Sequence, residues 1–213
     1  EEYSKMKLIK NIYSGFLSIF NYPYISKDLL ENLKGPIILH ISDTPVDIYA
    51  YIFRIIDILK PKFIIHTGDL ADNIKLEYHR DKIVEYQKEV AKLIEGLEKN
   101  EEAKVFYVLG NHDEYETVSK LTKRGTILEE GLINIENYNL IVGHYYMEHS
   151  DKVDFCLYGH SFSPSHFQNK DTIGLNGVLN INIIDLSCRA IYHLDYPIGT
   201  NRSRMMELRR ITL

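Results

Sequence analysis

Five short blocks of this chain carry side chains able to do metal or acid–base chemistry. They are Ser42-Asp43-Thr44-Pro45, Gly68-Asp69-Leu70, Gly110-Asn111-His112-Asp113, Gly143-His144 and Gly159-His160-Ser161-Phe162. Between them they offer carboxylates, an amide oxygen and three imidazoles, a donor mixture that suits a first-row divalent ion such as manganese, iron or zinc. Glycine lets the backbone turn sharply and brings a short side chain close to a ligand. Taken singly the blocks say little: Asp43 or Asp69 alone would pass as a helix N-cap, and a lone histidine after glycine is usually structural. Five together, each ending an apolar run, point to one site.

The elements between the blocks decide whether they meet. Ile37–Ile41, Phe63–His66 and Val105–Leu109 are short, β-branched apolar runs and read as buried strands. Ile48, Ile52, Ile56 and Leu59 mark a helix that Lys60-Pro61 stops. Ile83, Val90, Ile94 and Leu97 mark a long helix over roughly residues 74 to 99, and 114 to 121 reads as a short one. Alternating strands and helices predict a parallel sheet covered on both faces. In such sheets ligand sites gather at the carboxyl ends of the strands, where the first three blocks lie. After about residue 125 short runs separated by turns (126–128, 132–135, 138–142, 155–158, 178–184 and 189–194) read as hairpin-connected strands. Leu8, Ile12, Phe16, Ile19 and Phe20 recur at helical spacing. The organisation expected is a helical extension over 1–35, which docks on the chain's own core, and one domain over 36–213.

Composition excludes several classes. The 213 residues carry 25 Lys+Arg against 30 Asp+Glu, a net charge of -5, with 45% hydrophobic residues. That is enough apolar material for a globular core. Nucleic acid is not indicated as a partner by the acidic balance. Cys156 and Cys188 make neither a disulfide framework nor a thiol-type zinc site. No apolar run approaches a membrane span, and nothing resembles a secretory signal, so a cytoplasmic setting is expected. The oligomeric state is left open.

In order and spacing the five blocks resemble the calcineurin-like metallophosphoesterase family, whose pattern is Asp-x-His, Gly-Asp, Gly-Asn-His-Asp/Glu, Gly-His and Gly-His-x-His. The resemblance covers roughly residues 37 to 162. It implies an α/β four-layer sandwich, two central β-sheets flanked by helices, with a two-metal centre at its edge. Asp69 would bridge the metals; Asp69, Asn111, His144 and His160 would hold the second position, and Asp43 would belong to the first. His112 would be the proton donor to the leaving group, with Asp113 orienting its ring.

Two departures fall on the first metal position: Pro45 and Phe162 stand where the family has histidines. The expectation is therefore one firmly held divalent ion, with weak magnesium or manganese at most in the other position, since those ions accept oxygen and water ligands. His166, six residues after His160, is the one histidine placed to swing back as a replacement. Arg202 and Arg204, in a polar stretch near the end, are candidates to fork a phosphate. His40 and His66 read as hydrogen-bonded core residues, and Tyr145-Tyr146 as candidate walls for an aromatic group. The function expected is hydrolysis of a small phosphomonoester or phosphodiester. The alternatives are a catalytically silent metal-binding scaffold and a phosphate or nucleotide sensor. Intact Asn111 and His112 favour the first; Pro45 and Phe162 favour the others.

Overall fold

A computed structural model describes residues 22–149 and 152–206. The helix expected from Leu8 to Phe20 lies outside them. The chain runs α1 (Lys27–Asn32), β1 (Ile37–Ile41), α2 (Tyr49–Leu59), β2 (Phe63–His66), α3 (Ile83–Leu97), β3 (Lys104–Val108), α4 (Tyr115–Leu121) and β4 (Thr126–Leu128). It continues through β5 (Gly131–Ile135), β6 (Tyr138–Val142), β7 (Phe155–Tyr158), β8 (Phe167–Gln168), β9 (Ile173–Asn176), β10 (Ile181–Asp185), β11 (Ala190–Leu194) and α5 (Thr200–Ser203). The strands form two sheets, in the orders β11-β10-β1-β2-β3-β4 and β5-β6-β7-β9-β8.

The first sheet is parallel from β1 to β4, as the strand–helix alternation requires, but β10 and β11 close its other edge antiparallel. The second half is therefore not a simple run of hairpins. β5–β6, β8–β9 and β10–β11 are antiparallel pairs, whereas β6, β7 and β9 pair in parallel. Strand periodicity of two sorts the side chains. Ile37, Leu39 and Ile41 face the helices, in one core with Ile52, Ile55, Val90 and Ile94. Ile38, Phe63 and Ile65 face the second sheet, against Leu140, Phe155, Leu157 and Leu175. The molecule is an α/β sandwich of two central mixed sheets flanked by helices.

Lys60 ends α2 in a left-handed conformation (φ 46°), a common helix stop just before a proline that disfavours further helix. The helix expected from residue 74 begins only at Ile83, after a single 3₁₀ turn at 80–82. Residues 70–79 are instead an irregular loop that buries Leu70, Ala71, Ile74 and Leu76. Its apolar spacing resembles a helix, but Lys75 at φ 50° breaks any helical path through it. Both cysteines are free. Among the described residues no helix is long and apolar enough to cross a membrane.

His40 and His66 are fully buried and, as expected, hydrogen-bonded. The Gly68 N–H donates to His66 Nδ1 (3.2 Å), so Nε2 carries the proton and faces Thr44 Oγ1 (2.9 Å). Asn182 Nδ2 meets His40 Nδ1 at 3.1 Å, and His40 Nε2 meets Thr67 Oγ1 at 3.0 Å. A second proton on either ring would set donor against donor. Burial, with neighbouring histidines, pushes both pKa values down to about 3. The unfolded chain takes up these protons below about 6.5 and the folded chain does not. The stability they contribute is thus complete above pH 6.5 and is lost as pH falls toward 3. Buried Asp69 and Asp72, with raised pKa values, act in the opposite sense, so the diagnostic is a difference in slope. Urea midpoints measured between pH 7 and 4.5 will fall less steeply for His40→Gln than for wild type; equal slopes would contradict this account.

Candidate metal centre

The carboxyl ends of β1, β2 and β3 deliver the first three blocks to one edge of the sandwich, and the loops after β6 and β7 deliver the other two. The β1 and β2 loops are zippered by backbone bonds: Asp43 N–H to Gly68 O and Thr44 N–H to Asp69 O, both 2.9 Å. Gly68, at φ 98°, has no room for a side chain. A Cβ there would sit 2.5 Å from His144 Nδ1 and 2.7 Å from Gly110 N. Asp43 (φ 50°), Asp69 (φ 58°) and His160 (φ 65°) hold left-handed backbone conformations that cost non-glycine residues energy. Such strain persists only where surrounding bonds over-determine the geometry.

Three of the candidate residues converge on His144 Nε2. Asn111 Oδ1 lies 3.0 Å away, His160 Nδ1 3.2 Å and Asp69 Oδ2 3.4 Å. His144 Nδ1 points at the Thr67 carbonyl (2.8 Å), which fixes the proton there and leaves Nε2 with its lone pair. The Asn111 amide donates to Glu77 Oε2 (2.6 Å), so its oxygen is the atom turned inward. The shared point is thus surrounded by acceptors: an imidazole lone pair, an amide oxygen and a carboxylate oxygen. A cation would answer all three at once, whereas a proton on His160 Nδ1 or on Asp69 answers them only in part. An Asp/His/His/Asn donor set is what a divalent first-row ion takes, and the carbonyl behind His144 is the usual outer support of a metal-bound histidine.

Carboxylates crowd the same edge. Asp43, Asp69 and Asp72 are each buried. Burial, then the charges of Asp43, Asp113 and Asp72, raises Asp69 well above the usual carboxylate range. Asp72 is raised to about 6 by burial and Asp43, against the pull of Lys75. Asp43 Oδ2 accepts from Ser42 Oγ (2.5 Å) and from the His160 N–H (3.0 Å), and so joins the first block to the last. The His112 backbone N–H donates to Asp69 Oδ1 (2.9 Å). Its ring, buried against Tyr78 (5.4 Å between centroids), lies 3.7 Å from Glu77 Oε2. Burial and then Lys75 lower its pKa to about 4.

Three expectations need correction. Asp113 does not orient the His112 ring: its oxygens accept from the Asp69 (2.7 Å), Leu70 (2.9 Å) and Gly110 (2.8 Å) amides and from Tyr86 Oη (2.9 Å). It clasps the β2 and β3 loops together. Arg204 is fully buried and holds no open face for a phosphate. It donates to the carbonyls of Asp43 (2.6 Å), Ser42 (3.2 Å) and Val178 (2.8 Å), with Tyr196 stacked at 4.1 Å. Arg202 is exposed on α5, in a surface hollow with Leu179, Asp195 and Pro197 rather than in the cluster. His166, bonded to Asn180 and to the Asn176 N–H and stacked on His193, also stays out.

The loop after β2 supplies residues that the sequence motifs do not single out. A ligating oxygen of Asp72 lies within 4.8 Å of ligating atoms of both Asp69 and His112. Lys75 pairs with Asp72, and Glu77 with Asn111. Their only signal in the sequence is that charged residues follow a Gly-Asp block. Tyr145 lies against His160 (4.3 Å) and His144 (5.0 Å), whereas Tyr146 packs on Tyr158. Pro45 leads into a 3₁₀ turn and Phe162 is half-buried.

Residues 37–189 match the model of the calcineurin-like phosphoesterase family. The chain belongs to that family. It is thereby a relative of divalent-metal-using phosphoesterases in general. Among solved structures, an archaeal phosphodiesterase superposes with a TM-score of 0.52 at 19% identity, covering 75% of this chain and 99% of the other. The Escherichia coli phosphoesterase Yfce gives 0.49 at 16% identity, over 75% and 98%. At these identities the likeness is one of fold. No curated protein sequence matches the chain.

The buried guanidinium predicts a stability effect. Arg204→Met strands the Ser42, Asp43 and Val178 carbonyls, at about 1–3 kcal/mol for each group left unsatisfied. Thermal unfolding will show a lowered Tm, whereas a phosphate-binding arginine would raise KM at unchanged Tm.

Proposed function

We propose that this protein hydrolyses small phosphate esters with one firmly held divalent ion, ligated by Asp69, Asn111, His144 and His160. The observation that carries the reading is the convergence of Asn111 Oδ1, His160 Nδ1 and Asp69 Oδ2 on the lone pair of His144 Nε2. Manganese, iron and zinc all suit this mixed nitrogen–oxygen set. When bound, the ion supplies a Lewis acid for a phosphoryl oxygen and lowers the pKa of a bound water. Everything else belongs to the chain. Asp43 and Asp69 supply the carboxylates of the pocket floor, and Asp113 holds the two loops at fixed separation. Tyr78 and Tyr145 shield the imidazoles from one side.

His112 is the proposed proton donor to the leaving oxygen. Its ring is neutral in the empty site, because burial holds its pKa near 4. An anionic phosphoryl group alongside favours the charged form, as Glu77 already does, so the ring gains its proton as substrate binds. This couples protonation to occupancy. A silent scaffold remains the alternative that Pro45 and Phe162 favour, and the same assay separates the two.

Activity on p-nitrophenyl phosphate and bis-p-nitrophenyl phosphate, with added manganese or zinc, tests the reading. Chelation will abolish turnover and re-addition restore it. His112→Asn will lower kcat by about 10²–10⁴-fold while metal content stays unchanged. No hydrolysis with any ion, and no effect of His112→Asn, would establish the scaffold instead. Asp69 must also lose its proton, and both histidines must stay neutral, for the ion to bind. Metal affinity will therefore fall from pH 7 to pH 5, with proton release visible by calorimetry in buffers of different ionisation enthalpy. An affinity independent of pH would exclude Asp69 and the histidines as ligands.

A further inference from the structure

The cluster has two sides, and their chemistry differs. On one side His144 and His160 join Asp69 around a shared point. On the other, ligand atoms of Asp72, His112 and Asp69 gather within 4.8 Å of one another, and the buried Asp43 carboxylate is near enough to act on Asp72. Like charges buried this close demand a counter-cation. That side already contains one: Lys75 Nζ sits 2.5 Å from Asp72 Oδ1, with the lysine side chain 14% exposed and that of Asp72 0%.

This pair differs from a surface ion pair in three respects. Both partners are largely withdrawn from solvent, so the attraction is little screened. Asp72 Oδ2 is buried with no hydrogen-bond partner among the described residues, so the carboxylate has spare capacity facing the cluster. The backbone under the lysine is also fixed. It sits at φ 50°, and its carbonyl accepts from the Tyr78 (2.9 Å) and His79 (3.1 Å) amides. An ammonium has three donors, and Asp72 engages one of them.

We propose that the Lys75 ammonium is a built-in cation on the Asp43–Asp72 side, which closes that side to a second metal ion and donates to a phosphoryl oxygen of bound substrate. This rests on the metal-centre reading above. It explains how a site with Pro45 and Phe162 keeps Asp43 and Asp72 buried: the positive charge is covalently part of the chain. The site is then a hybrid, with one exchangeable cation and one permanent one. Lysine suits the second role as a compact point charge with rotatable donors.

Metal counting separates this from the underlying reading. Purified protein is equilibrated with excess manganese or zinc, desalted and analysed for metal, and titrated calorimetrically with inorganic phosphate in the metal-loaded form. Wild type is expected to hold one ion per chain. Lys75→Met leaves Asp72 without its cation, and the count should rise toward two. Loaded with only one equivalent of metal, Lys75→Met should bind phosphate at least about tenfold more weakly, the loss of one charge-assisted hydrogen bond. Lys75→Arg, which keeps the charge, should hold one ion and retain phosphate binding, and so controls for the fold. A count of two in wild type overturns the proposal. So does a folded Lys75→Met protein that holds one ion and binds phosphate as wild type does. A count of zero in wild type overturns the metal-centre reading itself.

Discussion

The structure is organised around a single electrostatic requirement: lone-pair groups from four separate loops are brought against one another at one edge of the sandwich. His144 Nε2, Asn111 Oδ1, His160 Nδ1 and Asp69 Oδ2 lie within mutual contact. Buried polar groups left without a partner are expensive, so this arrangement is stable only if the rest of the molecule holds it and a cation fills it. Much of the local architecture serves that hold. Asp113 ties three amides and Tyr86 into one clasp, Arg204 gathers the carbonyls of the Asp43 loop, and the Thr67 carbonyl orients His144.

The packing explains why strain is tolerated there. Two of the converging residues, Asp69 and His160, adopt left-handed backbone, as does neighbouring Asp43, and glycines stand where any Cβ would strike the site. At Gly110 an added Cβ would meet the Asp69 backbone nitrogen at 2.7 Å. The first two loops follow strands buried along their whole length between a helical layer and the second sheet, which anchor them. The order of causation runs from apolar strand to fixed strand end, then to loop, then to ligand direction. Conformational cost in the loops is offset by the cores on either side of the first sheet.

Much of this was legible in the sequence, for a physical reason in each case. Buried parallel strands are continuous apolar runs, so β1, β2 and β3 could be bounded almost to the residue, and the blocks that follow them were placed at one edge. Side-chain direction was not legible. Asp113 follows His112 in the chain and invites a paired role, yet its carboxylate turns back to the β2 loop. Arg204 sits in a polar stretch that reads as surface, and only the tertiary fold brings the Asp43 carbonyl to it. Residues 70–79 imitate a helix because Leu70, Ile74 and Leu76 are buried for packing reasons unrelated to helical period. The expectation of helix from residue 74 hid Lys75 and Glu77, both of which border the candidate centre.

The antiparallel closure of the first sheet has a temporal consequence. β1, which carries Asp43 at its end, pairs Ile38 with Ile184 of β10, and the loop after it is fastened by Arg204. The first block is therefore held by some of the last described residues of the chain. During synthesis the Asp43 loop cannot settle until β10, β11 and α5 have left the ribosome. Until then the emerging chain carries its acidic and imidazole side chains in separate, unlocked segments, with low affinity for any ion. Ion capture by the proposed centre would then be a late event, one that reports that the whole sandwich has closed.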